Sequence, residues 1–246
     1  MKPELVSVPA ARTHALLDLV SRRLKAEKIE RLLGLATASG SLRILEVGCG
    51  SGGIANYFGT LPMQHEVDAV DVVDSRVVHE GFRFQLVAGT ILPFPDDTFD
   101  VVISNHVIEH VGDDAAQLEH LRELTRVISS SGVGYLAVPN RWRLIEPHYR
   151  LPLLSVWPRR WRSTYLRLFR RGDEYDCEPL EARELEAMFA RAGLRYRRLG
   201  VQAVRATIDL EHPGQIVASV LRRVPDRALR LIEPMMPTLI YRIERS

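Results

Sequence analysis

The stretch ILEVGCGSGG, residues 44–53, decides how this chain is read. Ile44, Leu45 and Val47 form an apolar run that leads into Gly48, Gly50 and Gly52, one glycine at every second position. A buried strand that ends this way must turn sharply, and glycine permits both the turn and the close approach of other groups. A helix is expected to begin near residues 52–54. The loop then becomes a strand-to-helix turn, the arrangement that gathers ligands at a helix N-terminus. Two registers fit the same residues. Gly48, Gly50 and Gly53 satisfy G-x-G-x-x-G, while Glu46 with Gly48, Gly50 and Gly52 satisfies acid-x-G-x-G-x-G.

Outward from the loop, strands and helices alternate. Apolar runs at 42–47, 67–70, 82–87, 99–104 and 133–138 read as buried strands of a parallel sheet. An amphipathic segment over 13–35 precedes them as a helix, with Leu24, Ile29, Leu32 and Leu33 on its apolar side. Leu118, Leu121, Leu124 and Ile128 mark a second helix; Leu185, Met188, Phe189 and Ala192 mark a third, closed by Gly193. A strand over 194–204, a helical stretch over 213–232 and a final strand over 238–243 complete the chain. The pattern predicts an α/β fold, a doubly wound and mostly parallel sheet with helices on both faces.

Composition narrows the function. The 246 residues, 46% apolar and 26% charged, suffice for one large domain. A net charge of +2 is not that of a general nucleic-acid binder. Cys49 and Cys177 are too few for a disulfide framework or metal cluster and fit free thiols in a reducing cytoplasm. No apolar run approaches the roughly 18 residues of a membrane span, so a cytoplasmic protein, soluble or peripheral to a membrane, is expected.

In such sheets ligands lie beyond the carboxyl ends of the strands. Glu46 separates two cofactors that suit the glycine loop. A dinucleotide presents an anionic pyrophosphate that a carboxylate would repel, whereas S-adenosylmethionine presents an ammonium that it can pair with. Glu46 favours the latter, against the alternative of an outward-facing carboxylate at a strand end. Asp71, at the end of the second strand, can accept both ribose hydroxyls of either cofactor.

The later segments LPFPDDTFDVVISNHVIEHV, residues 92–111, and HLRELTRVISSSGVGYLAVPN, residues 120–140, together with the glycine loop, resemble class I S-adenosylmethionine-dependent methyltransferases. The likeness is to the broad group that includes the ubiquinone and menaquinone methyltransferases. It implies a Rossmann-like seven-stranded sheet with an antiparallel last strand, and S-adenosylmethionine as cofactor with S-adenosylhomocysteine as product. It places Glu46 near the amino acid portion, Gly48, Gly50 and Gly52 in the loop, Asp71 on the ribose and Val72 beside the adenine. Many relatives carry an Asp shortly before Leu-Pro-Phe that holds the adenine amine, but here those positions are Ala88 and Gly89. Gly89 and Thr90 are the candidates to replace it. Asn105 and His106 match positions near the transferred methyl. The whole chain, 1–246, is read as one such domain, with an N-terminal helical region over 1–40 and a basic aromatic insertion over 141–178.

Methyl transfer from a sulfonium to oxygen, nitrogen or carbon needs alignment above all. A base matters for hydroxyl acceptors, and histidine is its natural source. His106 and His148 are the candidates, with Arg141, Trp142, His148 and Tyr149 as acceptor-binding residues. No metal is implied. Residues 141–171 hold nine arginines, one acid (Glu146) and all three tryptophans, a formal charge of +8. Three roles fit: an interfacial segment on anionic lipid with a small-molecule or lipid-linked acceptor, an RNA surface, or a lid whose arginines pair with the acidic run 173–178. A non-catalytic module that binds S-adenosylmethionine or a nucleotide and engages membrane or RNA remains the alternative to an enzyme.

Overall fold

The computed structural model describes residues 19–37, 40–143, 145–146, 149, 151–175, 177–211 and 216–246. Strands β1 (Arg43–Val47), β2 (Glu66–Asp71), β3 (Arg83–Leu86), β4 (Phe99–Asn105), β5 (Ile128–Pro139), β6 (Leu194–Arg198) and β7 (Thr238–Arg245) form one sheet, in the order β3-β2-β1-β4-β5-β7-β6. Pairings from β3 through β5 are parallel, and β7 runs antiparallel to both of its neighbours. This is the doubly wound sheet that the alternation predicts, with the antiparallel strand that the resemblance implies.

Helices α1 (Leu19–Leu33), α2 (Gly53–Gly59), α3 (Asp114–Val127), α4 (Arg159–Leu168), α5 (Ala182–Ala192), α6 (Gly200–Glu211), α7 (Ile216–Arg223) and α8 (Asp226–Ile232) accompany it. Side chains alternate across each strand, so successive residues enter different apolar layers. Leu45, Val47, Val102, Leu136 and Val138 pack with Leu121 and Leu124 of α3 and Leu185 and Phe189 of α5. Ile44, Val101, Ile103 and Tyr135 pack with Ile29 of α1, Ile54 and Phe58 of α2 and Ala203 of α6. Covering on both faces is why these strands read as unbroken apolar runs. Glu46 shares the second face with Ile44 and is therefore carried under α1 and α2.

Four boundaries differ from the pattern. Ile128, read as the last apolar mark of the second helix, is extended and opens β5, because α3 ends at Val127. The strand read over 194–204 stops at Arg198, and α6 follows. Leu199 donates to Ile240 O and then accepts from Ala203 N; Leu199 and Ala203 pack into the α1 and α2 layer, and β-branched Val201 and Val204 between and beside them follow the helix. The stretch over 213–232 is interrupted at Val224–Pro225, where proline supplies no N–H to continue α7; residues 213–215 lie outside the described ones. The first helix is described from Leu19 to Leu33, and the rest of its 13–35 reading before residue 19 also lies outside them.

Between β5 and α5 lie the described residues of the 141–178 segment, the cap. Tyr149, Leu151, Leu154, Leu166, Tyr175 and Cys177 form a separate small core within it. At its far side Gly193 closes α5 in the left-handed conformation, φ 73°, as the sequence predicts.

Candidate functional site

Strand order reverses between β1 and β4, and the crevice beyond their carboxyl ends is where such sheets hold ligands. Gly48, Gly50 and Gly52 line it with φ of 74°, 51° and 78°, a left-handed path that side chains resist. Much of the freedom that glycine supplies is used by the protein itself. A Cβ on Gly48 would overlap the Val107 side chain, and one on Gly52 would lie 2.7 Å from Val78 O and 2.8 Å from Phe82 Cζ. The loop after β1 is thus keyed to the turn after β4. Gly48→Ala is expected to destabilise the fold by roughly 3 kcal/mol, from left-handed strain plus overpacking. Urea denaturation of the Gly48→Ala/Val107→Ala cycle should show favourable coupling between the two changes, because the second removes the clash.

Glu46 is 2% exposed, and its Oε2 accepts the Ala55 N–H at 2.8 Å. Gly52, the N-cap of α2, has no side chain to cap the first turn, and Glu46 reaches over from β1 to do so. A carboxyl therefore stands where a dinucleotide fold would seat a pyrophosphate. Burial raises the Glu46 pKa to about 8, against the pull of the Ala55 N–H and the charge of Arg22. Lys25 of α1 is likewise brought down to about 8, first by burial and then by Arg22. Cys49, buried in the same loop, is held as a neutral thiol because burial raises its pKa.

Asp71 ends β2 beside the loop. Its Oδ2 accepts Gly50 N and its Oδ1 accepts Val72 N, both at 2.8 Å. Oδ1 also takes a longer contact from Val73 N at 3.4 Å, while Oδ2 keeps a lone pair for a further donor; a carboxylate so placed can take vicinal hydroxyls, one of them displacing the long Val73 contact. The neighbouring Asp68 is committed elsewhere, in a bidentate pair with Arg83 at 2.8 Å on both oxygens.

Val72 is exposed next to Asp71. Across the crevice Gly89 adopts φ 99°, and the Thr90 hydroxyl donates to Glu119 Oε2 at 2.7 Å. Glu119, from α3, supplies a carboxylate that the local sequence around Thr90 does not reveal. Arg126 of the same helix fixes the following segment, donating to Leu92 O at 2.9 Å and Phe94 O at 2.7 Å while paired with Glu123 and Asp96.

At the end of β4, Asn105 is buried and His106 is left-handed at φ 60°, its N–H donated to Ala137 O at 2.8 Å. Such a conformation is uncommon for a residue with a side chain and is best tolerated by Asn, Asp and His. His106 Nδ1 lies 3.3 Å from Oε1 of Glu109; the imidazole is 31% exposed and the carboxylate 0%. Neither Glu109 oxygen meets hydrogen-bond geometry, so the contact is electrostatic rather than an aligned bond. Burial works to raise the Glu109 pKa, but His106 and His110 outweigh it and hold the group below the ordinary carboxylate range. His110 Nδ1 lies 3.7 Å from Cys177 Sγ. His120, buried beneath, contacts Ser104 Oγ at 3.1 Å and is kept neutral by burial, its pKa lowered to about 4. The cap is tied to this turn, since Glu178 N donates to Glu109 O at 2.8 Å.

Among the acceptor candidates, His148 lies outside the described residues. Arg141 pairs with Glu184 of α5 at 2.8 Å, and Tyr149 is buried with its hydroxyl donated to Glu174 O at 3.2 Å. Trp142 is exposed, its Nε1 on Glu181 Oε2 at 3.0 Å. Of the arginines read as pairing with the 173–178 run, Arg162 does so, 3.5 Å from Glu178. Glu109, Glu119 and Val107 escaped the sequence reading. For Glu109 a signal existed, the i, i+3 spacing from His106.

A family profile described as "Methyltransferase domain" matches residues 13–199. A probable S-adenosylmethionine-dependent methyltransferase of Mycobacterium tuberculosis is 32% identical over 146 residues, 56% of this chain and 50% of that protein. One from Mycolicibacterium smegmatis is 30% identical over 192 residues, 74% of this chain and 65% of that protein. The matches thus span half and just under two thirds of these curated relatives. The crystal structure of the YcgJ protein of Bacillus subtilis has a TM-score of 0.53 at 18% identity, over 89% of this chain and 99% of that one, a likeness of fold.

Proposed function

The chain belongs to the methyltransferase-domain family, and on that premise we propose that it transfers a methyl group from S-adenosylmethionine to a hydroxyl of a small-molecule or lipid-linked acceptor. The observation that carries the cofactor assignment is the Glu46 carboxyl at the N-terminus of α2. It disfavours a pyrophosphate there and complements an ammonium. When bound, the cofactor supplies a methyl already activated by the positive charge on sulfur.

The residues then take these roles. Glu46 receives the ammonium, and Asp71 takes the ribose hydroxyls through the lone pair that Gly50 leaves open on Oδ2 and by replacing the long Val73 contact on Oδ1. Val72 covers one side of the adenine. Gly89 and Thr90 meet its edge, and the Thr90–Glu119 pair accepts the adenine amine in place of the missing Asp. Asn105 lies beside the methionine portion. His106 receives the acceptor's proton at Nε2, because Glu109 faces Nδ1 and stabilises the imidazolium that forms. Unliganded catalytic contacts are often long and tighten on binding, which suits the 3.3 Å separation. A base opposite the cofactor is of most use to a hydroxyl acceptor, which favours O-methylation. Trp142 is the acceptor-side residue that the described part of the cap contributes; His148, outside the described residues, keeps the acceptor-binding role that the sequence suggests.

Incubating the protein and radiolabelled S-adenosylmethionine with fractionated cell extract tests this reading. Label should enter a small-molecule or lipid fraction with stoichiometric S-adenosylhomocysteine. Asp71→Ala should lower cofactor affinity about 100-fold or more, as loss of two hydrogen bonds to a charged group implies, with an unchanged circular dichroism spectrum. Tight cofactor binding without transfer to any fraction would instead indicate a non-catalytic module.

A further inference from the structure

Methyl transfer makes no use of the outer side of the cap, and that side has an organised chemistry. At 100° per residue, Trp161, Tyr165 and Leu168 share one stripe of α4, continued by Trp157 before the helix and Phe169 after it. Trp157 is 44% exposed, Trp161 49%, Leu168 74% and Phe169 50%. The rings are not scattered. Trp157 stacks on Tyr165 with centroids 5.7 Å apart and planes at 21°, and Tyr165 meets Phe169 at 4.9 Å. Leu153 and Val156, just upstream, are exposed as well.

The arginines divide between the two sides of this helix. Arg162, on the inner side with Leu166, is buried and fully engaged: it donates to Trp157 O and Ser155 O, approaches Glu178 at 3.5 Å and lies over the Tyr175 ring. Arg160 beside the stripe, and Arg170 and Arg171 beyond its end, pair with no acid among the described residues. An apolar aromatic plate edged by uncommitted cations is complementary to one kind of surface, hydrocarbon bordered by phosphates. Single-stranded nucleic acid would also use the arginines and rings. It has no counterpart for Leu153, Val156 and Leu168, which favours lipid.

We propose that this face docks on an anionic bilayer, with Trp157, Trp161, Leu168 and Phe169 at the headgroup boundary and Arg160, Arg170 and Arg171 on lipid phosphates. The attachment is peripheral; no helix among the described residues is long and apolar enough to cross a membrane. Docking would hold the cap, and through Glu178 the His106–Glu109 turn, next to the bilayer.

The test uses the full chain without cofactor, so its outcome is separate from that of methyl transfer. Cosedimentation is measured with vesicles of phosphatidylcholine alone and with one part in four of phosphatidylglycerol, at low and high salt. All three tryptophans lie at 142, 157 and 161, so their emission reports insertion without a label. Binding confined to the anionic vesicles, a blue shift of the emission, and a loss of about 100-fold in Arg160→Ala/Arg170→Ala/Arg171→Ala at low salt are expected. Trp161→Ala/Leu168→Ala should bind more weakly and lose most of the shift, with its thermal midpoint unchanged. Equal partitioning onto neutral and anionic vesicles, wild-type binding by both variants, or binding to a single-stranded RNA oligonucleotide but not to vesicles would overturn the proposal.

Discussion

Glu46→Gln is expected to stabilise the cofactor-free protein increasingly as pH rises from 5 to 8, while weakening its hold on S-adenosylmethionine. Glu46 has its folded pKa raised from 4.5 to about 8 by burial. Between those values the folded chain keeps a proton that the unfolded chain has released, so stability falls as pH rises across the window. At pH 7 the cost is on the order of 3 kcal/mol. It vanishes below pH 4.5, where both states are protonated. Glutamine retains an oxygen for the Ala55 N–H but has no proton to lose, so the variant escapes this slope. Groups common to both proteins, such as His120, cancel in the difference. The stability difference, measured by denaturant titration at several pH values, should therefore grow by about 3 kcal/mol from pH 4.5 to 7. A parallel pair of pH profiles would show that the carboxyl is not desolvated as the fold requires. Removing the charge-assisted contact to an ammonium should weaken cofactor binding by roughly 10- to 100-fold. Stability gained and affinity lost in one substitution is the mark of a buried ionisable group kept for function.

His106→Gln is expected to reduce kcat by about 100- to 10,000-fold, the range for losing a positioned base, with cofactor affinity within a factor of about 3 of wild type. Glutamine can occupy similar space and hydrogen-bond, but cannot take up the acceptor's proton. Glu109→Gln should lower kcat by less, because the base survives and only its orientation and charge compensation are lost. If His106 merely packs against the cofactor, the KM for S-adenosylmethionine would rise and kcat would not fall. Single-turnover measurements in both variants separate these outcomes.

The parts of the site legible in sequence are those set by spacing along one strand-turn-helix unit. Glu46, the three glycines and Asp71 lie at or just beyond strand ends that the apolar runs already mark, and the sheet brings them to one crevice with no further information. The pairs that tertiary packing creates could not be read in this way. Thr90 and Glu119 stand 29 positions apart in the chain, and Gly48 is explained by Val107 rather than by anything beside it. Glu109 resembles an ordinary turn acid in HVIEH until the fold buries it completely. The α6 helix was hidden for another reason. Val201 and Val204 favour a strand on local preference, and only contact with the α1 and α2 layer decides otherwise.

The most direct test of the cofactor assignment is calorimetric titration of the purified chain with S-adenosylmethionine and, separately, with NAD. Saturable heat with the first, absent in Asp71→Ala and reduced in Glu46→Gln, and no heat with the second, is the predicted result. Saturable binding of NAD, or S-adenosylmethionine binding that both substitutions leave intact, would contradict it.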